Sequence, residues 1–403
     1  MIRQRLFKDQ VLSDRERKNI SILELIGKNG PMTKTDISKI TELNIVTVSN
    51  YINNYIKAGL VEEKGFDISS GGRKPTLIDL NYKSGYVIGV GLNSSFNQLV
   101  AVMVDFGSNL IKEKKMSWDS SDRSERVIEA MNNLIEALIK DSGVDQDKIK
   151  GIGVGLPGIV DERGLTAKWP SSVGKMDISV CITVRSLLEK NFRIPIFIEK
   201  DDVVAVSGER WLGLNSDVQN VIFMFSGIGG GLMINGQLYR GTSGTAGELG
   251  ICNTEEEGLE FTEDFPPLGR WDIEADLCRE VQAQIKSGNK SSLSASGKIN
   301  LQDIVEAVKQ GDKVAMVALK KAGQILGRKI SFLINLLNPE VVVIGGGIED
   351  AGPIFLDSIR KTVKILAVEE ASNVVKIIPS ILGDRVVAMG AATIVIQEMF
   401  AQV

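Results

Sequence analysis

The chain has 403 residues, 43% apolar and 24% charged, with a formal net charge of −4; this length and balance fit two to three globular domains and exclude disordered, collagen-like and disulfide-dense chains. No apolar run approaches the roughly 20 residues that span a bilayer, and charges fill the start where a signal peptide needs an apolar stretch, so a cytoplasmic protein without a membrane partner is expected. There is no histidine, which excludes Ser-His-Asp triads, His-bound zinc and His general bases. Cys181, Cys252 and Cys278 are too few and too scattered for a disulfide framework or a four-ligand zinc site.

Residues 1–80 carry 13 Lys+Arg against 10 Asp+Glu, so the head is +3 and the remainder −7. Only the head is then expected to meet a polyanion. Residues 18–28 place Ile20, Leu23 and Ile26 at helical spacing, and Asn29-Gly30-Pro31 stops that helix. Thr33 is positioned to cap a second helix with Asp36 three residues on, a capping box. After a turn at Glu42-Leu43-Asn44, a third helix runs to Gly59, with Val48, Ile52 and Ile56 expected on its inner face. Short helix, tight turn and longer helix is the helix-turn-helix spacing. Thr47, Ser49, Asn50 and Tyr51 on the exposed face of the third helix are the candidate contacts to bases and phosphates.

Two strands follow, at Leu60-Val61-Glu62 and Thr76-Leu77-Ile78, with a tip expected at Gly65, and they make a wing. Its loop holds Gly72, Arg73 and Lys74 before Pro75; glycines permit close backbone approach, and extended basic side chains enter a narrow A·T-rich minor groove. A small helical domain that binds protein is the alternative reading of this head.

From Tyr86 the pattern becomes strand, strand, strand, helix, strand. That order recurs with VIFMFS, GLMING and QLYRG, helices after residue 272, and VVVIGGGI. Both halves put glycine loops at strand ends, where α/β sheets bind ligands. The expected fold class is α/β: an N-terminal winged helix-turn-helix followed by a two-lobed actin-like (ribonuclease-H-like) body. Its expected parts are residues 1–82, a first lobe at 83–200 that takes in the C-terminal helix 385–403, and a second lobe at 201–384 for effector binding and dimerisation.

Residues 226–250, SGIGGGLMINGQLYRGTSGTAGELG, combine a glycine run (Gly227, Gly229, Gly230, Gly231) with Gly244-Thr245-Ala246-Gly247-Glu248-Leu249-Gly250. With Gly155-Leu156-Pro157-Gly158, the 338–347 segment from Asn338-Pro339-Glu340 to Gly345-Gly346-Gly347, and Leu382-Gly383-Asp384 through Ala391-Ala392, the body resembles the ROK family of sugar kinases and sugar-responsive transcription factors. With the head included, the resemblance is to its xylose-repressor and N-acetylglucosamine-repressor branch. It implies that the glycine run is a phosphate loop, that Asp201 stands at the kinases' general base, and that Glu248 contacts sugar.

The pattern breaks at three places. The kinases' metal- and phosphate-handling aspartate becomes Gly91, a loss that phosphoryl transfer should not survive. The family's Glu-Asn-Asp-Ala-Asn becomes Glu199-Lys200-Asp201-Asp202-Val203; Lys200 either pairs with Asp201 or Asp202 or meets an anionic ligand. The zinc element is lost, with Ile251 at the histidine position and Gly269-Arg270-Trp271-Asp272 at its end, so neither a metal nor a cofactor is expected. Asp201, Glu248, Asp272 and Lys200 are the candidate sugar contacts, with no catalytic residue among them; Trp169 either stacks on a sugar or fills the core. The resemblance implies a repressor of carbohydrate genes, a homodimer or higher oligomer on an A·T-rich pseudo-palindromic operator, released by a small sugar or derivative. The alternatives are a sugar kinase with a DNA-binding head and a constitutive DNA-binding protein with a decayed sugar site.

Overall fold

The computed structural model describes residues 12–66, 75–93, 98–117, 124–157, 159–160, 167–170, 176–177, 185, 188–225, 229–248, 273–294 and 299–403. Helix α1 (Asp14–Asn29) begins earlier than its apolar spacing marks, because Ser13 and Glu16 form a reciprocal capping box. Strand β1 (Met32–Thr33) leads into α2 (Lys34–Thr41), where Thr33 and Asp36 cap each other as expected. Helix α3 (Ile45–Lys57) starts on Asn44, whose side chain accepts from the Thr47 N–H at 2.8 Å.

The inner face of α3 is Val48, Ile52 and Tyr55, whereas Ile56, expected inside, is 37% exposed. Seven residues make almost two full turns, so position 55 returns beneath 48 and position 56 swings past it. The Tyr55 hydroxyl is buried with a partner, donating to Asn19 Oδ1 at 2.9 Å. Strands β2 (Val61–Phe66) and β3 (Thr76–Leu80) form the antiparallel wing, with β1 on the outer edge of β3. Gly65 is not the tip: it sits inside β2 at a register shift with φ 110°, the conformation a bulge asks of glycine. Gly72, Arg73 and Lys74 lie outside the described residues.

The body holds two sheets of one plan. In the first, β4 (Tyr86–Asn93), β5 (Gln98–Asp105) and β6 (Leu110–Ser117) make an antiparallel meander, and β7 (Ile149–Leu156) and β11 (Ile196–Lys200) extend it in parallel, in the order β11-β7-β4-β5-β6. Helix α4 (Ser124–Ser142) packs on β5 and β6, and β8 (Ile159–Val160), β9 (Ala167–Pro170) and β10 (Met176–Asp177) form a small separate sheet. In the second, β12 (Val221–Phe225), β13 (Gly230–Ile234) and β14 (Gln237–Leu238) make the meander, and β15 (Val341–Gly345) and β16 (Lys376–Pro379) extend it, in the order β14-β13-β12-β15-β16. The run VVVIG in β15 is apolar throughout because a central parallel strand is covered on both faces.

Helix α5 (Asp201–Leu212) leaves the first sheet from the end of β11 and packs on β12 and β13 of the second. Helices α6 (Ile273–Lys286), α7 (Leu301–Lys309), α8 (Lys313–Leu337), α9 (Pro353–Leu366) and α10 (Glu369–Val374) belong to the second half, where Leu326, Ile330 and Phe355 fill a core with Ile222 and Ile344. The last helix, α11 (Val386–Ala401), is apolar on all sides and buried almost throughout. It returns to the first sheet, packing on β4 and β7, and crosses α5. These features bear out the two-lobed α/β body. Among the described residues, no helix is long and apolar enough to cross a membrane.

Glycine sets these approaches. A side-chain carbon on Gly390 would lie 1.9 Å from the Val204 carbonyl oxygen of α5, and one on Gly208 would lie 2.8 Å from Gly390 Cα. On the sheet side, a carbon at Gly89 would meet the Ala388 carbonyl oxygen at 1.9 Å. Overpacking of such a contact costs about 1–3 kcal/mol. Gly390→Ala is therefore expected to lower unfolding free energy by at least that amount in denaturant titration; a midpoint equal to wild type would show that the helices can separate freely.

Candidate functional site

The outer face of α3 presents Asn50 fully, with Thr47 and Ser49 partly exposed. The Thr47 backbone N–H is engaged by Asn44, which fixes the first turn of the helix. Tyr51 is less available than its spacing implies: it packs against the head's core with its ring 6.1 Å from that of Tyr55. Val46, 66% exposed in the first turn of α3, was missed by the sequence reading. A valine beside Val48 reads as core, and only its position off the 48–52–55 stripe marks it as a surface residue, suited to a thymine methyl.

At the junction of the two lobes, β11 ends in Glu199 and Lys200, and α5 begins at Asp201 with Lys200 as its N-cap. The Lys200 ammonium is 2% exposed. It lies 2.7 Å from Glu248 Oε1 and 3.2 Å from Asp202 Oδ2, and it donates to the Ala246 carbonyl at 3.2 Å. Of the two pairings expected, the structure makes the one with Asp202 and adds Glu248; Asp201 instead accepts from the Asp202 N–H at 2.8 Å. Glu199, also buried, takes the Arg240 guanidinium through Nε at 2.9 Å and Nη2 at 2.7 Å, and its other oxygen accepts from the Lys200 N–H. Loop 240–248 is thus fastened at both ends to adjacent residues of β11.

The charges are not balanced. One ammonium serves Asp202 and Glu248, with Asp201 next to them. Burial would lower the Lys200 pKa, but the attraction of Asp202 and Glu248 outweighs it and the net shift is upward. Burial raises Asp202 to about 7 against the pull of Lys200, and Glu248 adds to the rise. Asp201 is raised well above the ordinary carboxylate range by desolvation and by the neighbouring Asp202, although part of its surface reaches solvent. Among the described residues, Asp202 Oδ1 has no hydrogen-bond partner.

The glycine run differs from an open phosphate cradle. The Gly230 N–H donates to the Gly247 carbonyl at 2.9 Å, and a carbon on Gly231 would lie 2.0 Å from the Asp202 carbonyl oxygen. These glycines admit the first turn of α5 against β13. The Asp202 carboxylate sits under the loop, 3.2 Å from where a carbon on Gly247 would stand. Gly91 likewise packs on α11: a side chain there would meet Val387 at 2.6 Å and the Ala388 nitrogen at 2.7 Å, so the space for an aspartate is already filled. Asp272, Gly227 and Ile251 lie outside the described residues, as does the side chain of Trp169. Among the described residues, no group of His, Cys, Asp and Glu could hold a metal ion.

The profile of the ROK family matches residues 91–398, and a winged helix-turn-helix DNA-binding profile matches residues 15–62. The chain belongs to the ROK family. The xylose repressor of Caldicellulosiruptor bescii is 28% identical over 397 residues, covering 94% of this chain and 95% of its own length. The DNA-binding transcriptional dual regulator NagC of Escherichia coli K12 is 25% identical over 394 residues, covering 96% and 93%. Among solved structures, a ROK transcriptional regulator, homologous to the Escherichia coli MLC protein, has a TM-score of 0.72 at 22% identity, covering 96% and 97%. This ROK chain therefore spans nearly the full length of relatives that join such a head to such a body.

A carboxyl whose pKa is raised on folding stabilises the protein below its unfolded value and loses that contribution as pH rises through its folded value. For Asp202 that window runs from 3.8 to about 7, and for Glu349, buried beside the 345–347 glycines, from 4.5 to about 8. The thermal midpoint is expected to fall between about pH 4 and about pH 8. Asp202→Asn and Glu349→Gln should each flatten the slope, and an unaltered slope would show that these groups ionise without cost.

Proposed function

We propose that the protein is a sugar-responsive transcriptional regulator of the repressor type that acts on DNA and does not phosphorylate its sugar. The observation that carries this reading is the Lys200–Asp202–Glu248 cluster joined to an intact winged head. Phosphoryl transfer needs cationic groups around the transferred phosphate. Here a buried carboxylate lies under the glycine loop, and α11 occupies the space of a metal-handling aspartate at Gly91. Those features do not hinder sugar binding, because each carboxylate oxygen can accept a hydroxyl hydrogen bond, about twice as strong as a neutral one.

The relatives named for xylose and for N-acetylglucosamine leave the effector open, and the charge of the site narrows it. The Lys200 ammonium is already engaged by Asp202 and Glu248 and is not free to meet the anionic group of a sugar phosphate or sugar acid. The effector is a neutral sugar bound by Asp201 and Glu248, with Asp272 a further contact and Lys200 holding Glu248 in place. In the head, Thr47, Ser49 and Asn50 face the major groove with Tyr51 at their edge. Gly72, Arg73 and Lys74 carry the wing into an A·T-rich minor groove. Two copies on a pseudo-palindrome give each recognition helix a half-site. Reading DNA places the protein in the cytoplasm.

Gel-shift titrations with D-xylose, D-glucose, N-acetyl-D-glucosamine and their phosphates test this reading. At least one neutral sugar should weaken operator binding and the phosphates should not; an inert panel, or sugar-dependent ADP formation, would overturn it. Glu248→Gln should weaken sugar binding about 10–100-fold, the loss of a charge-assisted hydrogen bond. Asn50→Ala should cost about 1–3 kcal/mol on the specific operator alone. Arg73→Ala should weaken all DNA binding and reduce the salt slope by about one.

A further inference from the structure

The head touches both halves of the body, through different helices. At one end of α1, the Asn19 amide donates to the Ala401 carbonyl at 3.3 Å and the Val403 carbonyl at 2.9 Å, and Arg15 donates to Val403 at 3.0 Å. These acceptors close α11, which packs on the first sheet. Asn19 is 1% exposed and is held from behind by Tyr55 of α3, so this end is a fixed anchor. At the other end, Glu24 meets Arg210 at 3.1 Å and Lys28 donates to the Leu214 carbonyl at 3.2 Å. Arg210 lies in the last turn of α5, which packs on the second sheet and begins at Asp201 in the effector cluster.

The two attachments differ in packing as well as in origin. Glu24 lies between two voids, one of about 390 Å³ lined by Ile20, Arg210, Met233 and Arg240, and one of about 100 Å³ lined by Leu23, Lys28, Trp211 and Phe400. Around this pair the seam has room, whereas around Asn19 it is closed. The helices that carry the two attachments cross at Gly208 and Gly390, where their backbones come close. A change in the angle between the lobes is taken up at that crossing, so it alters the separation between the anchor on α11 and Arg210 on α5.

We infer that the Glu24–Arg210 pair is the positioning contact through which the effector site sets the pose of the DNA-binding head. Resting on the functional reading above, it also says which contact carries the signal. α5, about 18 Å long, is the rod: its first turn holds Asp201 of the effector site and its last turn holds the head. The described state, with the pair formed, is the DNA-binding pose. Sugar closing the lobes draws Arg210 away, and the head, still anchored at Asn19, swings into the space beside Glu24.

Glu24→Gln is the primary variant, because Arg210 also donates to the Val218 and Ser216 carbonyls and its loss could unfold the seam. On an operator duplex recovered by in vitro selection, Glu24→Gln should weaken binding at least threefold without sugar, roughly 0.7 kcal/mol. Allosteric couplings typically span about 5–150-fold. In the variant, the ratio of operator Kd with and without D-xylose or D-glucose should drop to about two or less, while DNA-free sugar affinity by calorimetry stays within threefold of wild type. Arg210→Lys, which keeps the charge, should fall between the two. If wild type responds to sugar and Glu24→Gln responds equally, the inference is overturned and the functional reading stands. If no sugar moves wild type, that reading fails. The sugar-free operator affinity of Glu24→Gln then decides the inference: a threefold loss upholds the pair as the head's positioning contact, and an unchanged value overturns it.

Discussion

The close crossing of α5 and α11 is the constraint on which the rest of the structure depends. Helices with ordinary side chains pack with axes about 8–10 Å apart and lock through ridges and grooves. Here Gly390 receives the Val204 carbonyl and Gly208 faces Gly390, so the two backbones approach closely. Around that approach Val204, Val206, Val387 and Ala391 join one apolar cluster with residues of both sheets. The same economy appears where α11 meets the first sheet, at Gly89, Gly91 and Gly153, and where α5 meets the second, at Gly231. Each helix is thus fitted tightly to its own sheet and to the other helix at the point where the two lobes meet.

The proposed effector cluster sits at the start of α5, where the two lobes meet. Lys200 ends a strand of the first sheet, Asp202 lies in the first turn of the helix that leaves it, and Glu248 arrives from the second half through the 240–248 loop. A buried lysine is costly unless paired, and pairing is possible here only while these segments are together. The ammonium therefore reports on the arrangement of both lobes. Arg240 and Glu199 repeat the device one residue away, fastening the other end of the same loop. Gly241, Gly244 and Gly247, all at positive φ, give the loop between them its turns.

Much of the head was legible because its signals are local. Capping at Thr33 and Asp36, the stop at Gly30-Pro31 and the apolar stripe of α3 each concern residues within a few positions of one another. The errors are local as well: an i, i+4 step carries the apolar stripe from Ile52 to Ile56, whereas the structure buries Tyr55, whose partner Asn19 comes from another helix. Gly65 was read as a turn because strand bulges and turns ask the same φ of glycine. In the body, the glycine segments marked the loops, but not what fills them. Nothing near Lys200 in sequence says that its nearest carboxylate will be Glu248, 2.7 Å away across the lobes. Glu24 and Arg210 carry no signal in sequence at all, because each looks like an ordinary solvated charge.

The substitutions that separate this chain from the kinase pattern show why a phosphorylating scaffold converts readily into a sensor. Catalysis requires groups to be more favourable in the transition state than in the ground state, so a carboxylate beneath the phosphate loop is ruinous. Sensing requires only that the ligand distinguish two arrangements of the protein. On the proposed reading, a carboxylate that accepts from sugar hydroxyls from one lobe and is held by a lysine of the other meets that requirement without any transition state to serve. Asp202 and Lys200 would then remove one function while leaving the geometry of the other intact. Gly91 does the same in steric terms: it exchanges a metal-handling side chain for close contact with α11, the helix on which the DNA-binding head is anchored.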